Sequence, residues 1–315
     1  MEVAYVTPGI SNMATGSAPG SAILPLFDVA IDGRVTPTPA LLARAPAIVR
    51  HHLSTLPVHR AMIRVVEALL VGAEPLVGPV LDVGCGDGHF AHAVLEPARG
   101  GPIDAGFDPW LPSVREARAT GAYRMALASG GEAMPFPDGT FQTVVSNCVL
   151  EHIPPLQSTL REISRVLAPG GSLVITVPSD RFAPSLFWPR ALSSIGMSDL
   201  GDAYGAWFNG ISKHFHTYDR AGWTARLNDA GLDVIRWSSY LLPDAMGAFD
   251  LSHYYGAPTL LTKRITGRWI LWPGKWRYLP WERALESQLV RWCSQVGIDG
   301  GAYFFFVARK GPNGE

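Results

Sequence analysis

The stretch VLDVGCGDGHF (residues 80–90) joins a short apolar run to a turn with glycines at 84, 86 and 88. Glycine weakens any strand or helix that contains it. Three within five positions therefore mark a turn that something approaches too closely for side chains. A glycine turn between a strand and a helix points unpaired N–H groups outward and suits a polar ligand. The spacing here is Asp82-x-Gly84-x-Gly86-x-Gly88. It departs from the dinucleotide pattern G-x-G-x-x-G, because the third glycine falls one residue early and an acid precedes the first. A carboxylate at the lip of such a loop repels a pyrophosphate but suits an ammonium group. Asp108 ends the next apolar run, IDAGFD (103–108), where an acid accepts from ribose hydroxyls. Glu132 follows the run after that and is placed to accept from an exocyclic adenine amine. Three acids around one pocket fit a cationic nucleoside better than an anionic dinucleotide.

Outward from this loop the pattern repeats. Strands are expected over 79–83, 103–108, 123–128, 140–147 and 172–178, then 232–239 and 302–310. Helices are expected over 58–70, 89–98, 111–121, 156–171 and 219–231; Asp219 caps the last, and Pro-Gly-Gly stops the helix before residue 172. Alternating strands and helices imply right-handed crossovers and a mostly parallel sheet covered on both faces. The expected fold class is α/β: a doubly wound, Rossmann-like, seven-stranded sheet with an antiparallel last strand. Lid-like insertions are expected over 179–216 and 240–300, since loops that long inside a compact domain are usually binding elements. Residues 1–57 read as an irregular arm rich in Gly, Pro, Ser and Thr, 58–310 as the main domain and 311–315 as a tail.

The chain has 315 residues, of which 47% are hydrophobic, and a formal net charge of −1, so no overall field attracts nucleic acid. Cys85, Cys148 and Cys293 show no metal-ligand spacing, and their odd number fits a reducing compartment. Neither a signal peptide nor a membrane-spanning run is expected, which gives a cytoplasmic reading. Cys85 reads as a small packing residue of the loop rather than a nucleophile, and Cys148 likewise. His51, His52 and His59 read as solvated surface histidines, and no metal is expected.

VLDVGCGDG (80–88), GFD (106–108), GEAMPFPDGTFQTVVSNCVLEHI (131–153) and LREISRVLAPGGSLVITVP (160–178) together resemble class I S-adenosylmethionine-dependent methyltransferases, most closely those acting on small molecules. The resemblance covers roughly 58–178 well and 213–239 more loosely. It implies S-adenosylmethionine as cofactor, held by Gly84, Cys85, Gly86 and Gly88, with Asp82 beside the methionyl end. Asp108, followed by Pro109, would bind the ribose. Glu132 and the Ala133 amide would address the adenine, and Met134 would pack on its ring. Asn147, Cys148 and Val149 would line the methionyl side, with His152 at the floor. Two positions depart from the family pattern: Glu132 and Gln142 stand where Asp is more usual.

A sulfonium methyl is already activated, so the protein has to align a nucleophile and exclude water. A hydroxyl acceptor gains from a base, and histidine suits that role. The candidates are His152, His214 and His216; Tyr218 and Trp207 are placed to orient an acceptor. The expected activity is methyl transfer to a small-molecule or lipid-linked acceptor, most readily a hydroxyl oxygen. A cofactor-binding protein without turnover is the alternative, ahead of a nicotinamide-dependent oxidoreductase. Residues 263–292 carry five of the ten Trp and seven Lys or Arg against two Glu. They read as a lid whose Trp side chains pack on the core, with peripheral contact to a membrane or lipid-linked substrate as the other reading. The oligomeric state is left open.

Overall fold

The structure is a computed structural model that describes residues 25–266 and 280–311. From residue 25 onward the expected irregular arm is ordered. A short hairpin, β1 (Phe27–Val29) and β2 (Val35–Pro37), leads into helices α1 (Pro39–Leu42) and α2 (Ala45–Thr55). Its apolar residues decide this: Val35, Leu41, Ala45 and Val49 are buried and join the main core. The cost of ordering the segment is offset by that burial. α3 (Val58–Val71) follows with its apolar residues at helical spacing, as the sequence implies.

The sheet then builds strand by strand: β3 (Val80–Val83), β4 (Ala105–Asp108), β5 (Ala126–Ala128), β6 (Phe141–Asn147), β7 (Leu167–Pro178), β8 (Leu232–Tyr240) and β9 (Tyr303–Lys310). Their spatial order is β5-β4-β3-β6-β7-β9-β8. The strands from β5 to β7 pair in parallel, whereas β9 runs antiparallel to both β7 and β8. Neighbouring residues of β6 serve opposite faces: Val145 joins the cluster containing α2 and α3, and Val144 joins the one under α6 (Leu156–Val166) and α9 (Arg220–Asn228). A sheet buried on both faces needs strands that are apolar throughout, and β3 is buried at all four positions. The outer end of the sheet rests on α5 (Leu111–Ala119), and the glycine turn leads into a short π-helical turn over Ala91–Leu95 and α4 (Glu96–Arg99).

The helix expected over 156–171 ends at Val166, and Leu167 already pairs with Phe141. Pro-Gly-Gly lies inside the β7 segment, where Gly170 turns the chain at φ +74° and the pairing slips between Phe141 and Thr143. Asp219 caps α9 as expected, accepting from the Gly222 amide at 2.8 Å. The segment 179–216 forms α7 (Phe187–Ser194) and α8 (Ser198–Ser212). Within 240–300 lie α10 (Pro243–Thr266) and α11 (Pro280–Cys293). Trp269, Trp272 and Trp276 of the Trp-rich segment fall outside the described residues; Trp292 is buried and donates to Asp244 at 3.1 Å. Among the described residues, no helix is long and apolar enough to cross a membrane.

Candidate functional site

The carboxyl ends of β3, β4 and β6 converge where the strand order reverses, the place at which open α/β sheets receive ligands. The glycine turn leaves β3 there, and its three glycines do three different things. Gly84 (φ +77°) faces Val149, whose γ-carbons would sit 2.4 Å from an added Cβ. Gly88 (φ +78°) faces the backbone of Ala117 in α5, at 2.8 Å. Both are thus required by the protein's own packing. Gly86 (φ +52°) alone of the three opens onto space, with nothing within 4 Å of an added Cβ. Its amide donates to Asp108 Oδ2 at 3.2 Å, and Asp108 Oδ1 accepts from the Trp110 amide at 2.8 Å. Asp108 therefore ties the turn to the end of β4 and stands beside the open cradle; Pro109 carries the chain on to Trp110, which is exposed.

Asp82 is buried behind the turn and accepts from the Tyr123 hydroxyl at 2.6 Å. Burial pushes its carboxyl up to about 6, against the pull of that hydrogen bond. Cys85 is buried and its thiol is pushed far above its usual range by burial, which fits packing rather than nucleophilic chemistry. Glu132 and Ala133 are exposed on the loop after β5, while Met134 is buried beneath them. Glu162 and Arg165 of α6 pin that loop. The Met134 amide donates to Glu162 at 2.8 Å, and Arg165 donates to the carbonyls of Met134 (3.0 Å) and Phe136 (2.8 Å). These two residues lie in a stretch read only as an amphipathic helix; their i, i+3 opposite charges were the available signal.

A buried network fixes the end of β6. Glu67, fully buried in α3, accepts from Arg64, from the Asn147 amide at 2.8 Å and from the Cys148 thiol at 2.8 Å. Thr176 donates to Asn147 Oδ1 at 2.9 Å, and Cys148 adopts φ +52°. The polar side-chain atoms of Asn147 and Cys148 are thus spent inside the protein, and half-buried Val149 packs against Gly84. Arg64 and Glu67 were hidden in a helix read for its apolar stripe. A charged pair at i, i+3 beside Val66 and Leu70 is the clue that the stripe obscured.

Next to Cys148 opens a cavity of about 320 Å³, lined among others by Arg64, Glu151, His152, His214, His253 and Tyr303. Glu151 and His152 sit in a single 3-10 turn after β6, and His214 follows the C-terminus of α8. Glu151 is 1% exposed, and its Oε2 has no hydrogen-bond partner. Burial pushes its carboxyl up to about 8. His152 Nε2 lies 3.7 Å from Glu151 Oε1, and the His152 and His214 ring centres are 5.3 Å apart. Burial depresses both imidazoles, His214 to about 4. One donor or acceptor atom from each of the three groups lies within 4.8 Å of the others.

The remaining candidates go elsewhere. His216 has both ring nitrogens engaged, with the Ile153 carbonyl at 3.0 Å and the Tyr218 hydroxyl at 2.9 Å. Tyr218 in turn stacks under Arg226, at 3.5 Å from guanidinium carbon to ring centre, and neither it nor His216 lines the cavity. Trp207 lines a separate apolar groove with Trp188, Leu192, Leu200, Tyr204, Leu251 and Tyr254. Phe208 lies between the two spaces, packing on Phe182, Phe249 and His253, which line the cavity. His52, expected on the surface, is buried with Nδ1 bonded to the Ile48 carbonyl at 3.0 Å, because α2 packs into the core. His59 lies 4.7 Å from His253 at the cavity edge.

A family model described as a methyltransferase domain matches residues 50–236. A demethylmenaquinone methyltransferase of Thermus thermophilus is 35% identical over 99 residues, which cover 30% of this chain and 45% of that protein. A malonyl-[acyl-carrier protein] O-methyltransferase of Pseudescherichia vulneris is 31% identical over 107 residues, covering 34% of this chain and 41% of that protein. The matches thus span less than half the length of these curated relatives. A solved SAM-dependent methyltransferase of Thermotoga maritima shares 16% identity, with a TM-score of 0.49 over 80% of this chain and 91% of that one.

Proposed function

The chain belongs to the methyltransferase-domain family, and from that premise we propose that it methylates a hydroxyl oxygen of a small-molecule or lipid-linked acceptor, using S-adenosylmethionine. The observation that carries this reading is the open cradle at Gly86, backed by Asp108 and flanked by Gly84 and Gly88, which the protein's own packing closes. A cradle that a single Cβ would fill, with a carboxylate for hydroxyls beside it, fits a nucleoside carrying a cationic tail. When bound, S-adenosylmethionine supplies a methyl group already activated for displacement.

The chain's own residues hold and align. Asp108 accepts from ribose hydroxyls, Glu132 and the Ala133 amide address the base, and buried Asp82 sets a negative field at the methionyl end. The acceptor enters the cavity beyond Cys148. Its hydroxyl points at the Glu151–His152–His214 cluster and donates its proton to His152 Nε2, whose lone pair is free because Nδ1 is held on the Lys213 carbonyl. In-line alignment and exclusion of water then account for most of the rate. The apolar groove at Trp207, on the far side of Phe208, takes an apolar tail long enough to reach out of the cavity and around that residue. The relatives' names fit a small-molecule or carrier-linked acceptor, one naming demethylmenaquinone and the other a malonyl group on a carrier protein.

Calorimetry with S-adenosylhomocysteine and, separately, NADH tests the reading. Micromolar-range binding of the first and none of the second is expected. A chain that binds neither, or only NADH, rules it out.

A further inference from the structure

The sequence offers no metal-ligand spacing, yet the fold assembles a set of ligands that lie far apart along the chain. Glu151 and His152 come from the turn after β6, and His214 comes from the end of α8. We propose that Glu151, His152 and His214 bind a divalent transition-metal ion, of the zinc type, at the floor of the acceptor cavity. The proposal goes beyond methyl transfer and rests on that reading only for what the ion would do there.

Three features of the geometry carry it. First, each imidazole is oriented by a protein acceptor on its Nδ1. His152 Nδ1 lies 3.0 Å from the Lys213 carbonyl, which accepts only, so this nitrogen carries the proton and Nε2 carries the lone pair. His214 Nδ1 lies 3.3 Å from Asn209 Oδ1, which leaves its Nε2 in the same state. Fixing the outer nitrogen on a carbonyl or amide oxygen is how metal sites orient histidine ligands. Lys213 reaches this position at φ +56°, a left-handed conformation that turns its carbonyl onto His152. Second, Glu151 is 1% exposed and lines the cavity beside these histidines, with Oε1 3.7 Å from His152 Nε2 and Oε2 without a hydrogen-bond partner. A buried carboxyl oxygen without a partner is costly in either protonation state, and a cation removes that cost. Third, the three ligand atoms lie within 4.8 Å of one another, and small side-chain adjustments bring them to bonding distance. The Arg64 guanidinium that also lines the cavity is compensated by Glu67.

Two neutral imidazoles and one carboxylate, with the cavity as the open side, form the ligand set of catalytic zinc and of non-haem iron centres. Hard ions such as Mg²⁺ prefer oxygen ligands. The open position faces the space assigned to the acceptor: with the ion bound the three lone pairs would no longer be free to take the hydroxyl proton, and coordination of the acceptor oxygen would instead acidify the hydroxyl, which would lose its proton to water.

Titration of the chelator-treated full-length chain with Co²⁺, followed by visible absorption and by metal analysis after dialysis, tests the site. One tightly held ion is expected, with an absorption band for imidazole coordination, and Zn²⁺ should displace it. Glu151→Gln, His214→Gln and the half-exposed His152→Gln should each weaken Co²⁺ binding at least about tenfold while leaving S-adenosylhomocysteine affinity within about twofold. Wild type without tight Co²⁺, or three variants that all retain wild-type affinity, overturns the proposal. Loss of S-adenosylhomocysteine binding by the wild type would instead overturn the methyltransferase reading, and the Co²⁺ result would still stand.

Discussion

Val149 closes the space beside Gly84: a methyl group built on that glycine would lie 2.4 Å from both of its γ-carbons. Gly86, two residues on, meets nothing within 4 Å. The two glycines therefore answer to different masters, and substitution separates them. Gly84→Ala should cost about 2–4 kcal/mol, from its positive φ and from overpacking on Val149. Gly86→Ala should cost only about 1 kcal/mol of stability but abolish S-adenosylhomocysteine binding. Thermal unfolding and calorimetry on the pair check both halves; equal stability losses would contradict the assignment.

Asp108 accepts two backbone amides, from Gly86 and Trp110. Asp108→Ala should weaken S-adenosylhomocysteine binding by about tenfold or more, as expected for losing charge-assisted hydrogen bonds. Asp108→Asn keeps one acceptor and should fall between. Unchanged affinity in the alanine variant would remove this residue from the site.

Glu67 accepts from three side chains while fully buried. Glu67→Gln should cost about 3 kcal/mol, the lower end for a broken buried pair because Arg64 keeps 24% of its side chain exposed. That corresponds to a fall of roughly 5 °C in Tm. Cys148→Ala removes one donor and should cost about 1 kcal/mol. Denaturant titration of both variants gives the ratio.

His52 is buried and its imidazole is depressed from 6.5 to about 3 by burial. The unfolded chain takes up this proton first as pH falls. Stability from the neutral ring is thus complete above pH 6.5 and is lost progressively toward pH 3. The gap in stability between wild type and His52→Gln should shrink by about 3 kcal/mol between pH 6.5 and 4, at about 1.4 kcal/mol per unit. Calorimetric scans at several pH values measure it; a constant gap would contradict the burial effect.

Trp207 is 53% exposed on the wall of the apolar groove. Trp207→Ala should leave Tm and cofactor affinity nearly unchanged, since exposed substitutions shift stability by about 0.5 kcal/mol or less. It should raise KM for an acceptor with an apolar tail while leaving a tail-free analogue unaffected.

The alternation that produces the sheet was legible because β3, β6 and β7 are short apolar runs bounded by glycine or proline, and period and punctuation agree there. The hairpin and α2 were not legible, since Gly, Pro and Thr around them mask the few apolar residues that the core captures. Asp108 and the glycine turn were readable from local spacing alone. The Glu151–His152–His214 cluster was only half readable. His152 and His214 stood out as bases, but Glu151 passed as a neighbour, because burial and the missing partner of Oε2 are properties of the fold. His216 carried an equal signal in sequence and spends it on Ile153 and Tyr218. Nothing in a string of residues distinguishes a histidine whose nitrogens are taken from one whose nitrogens are offered.

The position of β9 sets a schedule for biosynthesis. β8 pairs with the sheet through β9, and Tyr303 leaves the ribosome more than sixty residues after Tyr240. Until then β8 has no partner in the seven-stranded sheet and pairs only with the hairpin, through the bridge of Arg34 to Trp237, while the emerging chain presents β7 as a naked edge along residues 172–178, where β9 will later pair. Closure is consequently a late, long-range event that joins two edges at once, slow by topology and exposed to mispairing. Nascent chains stalled before residue 303 should be held by chaperones or degraded, and release of the last strand should convert them to protease-resistant protein in a single step.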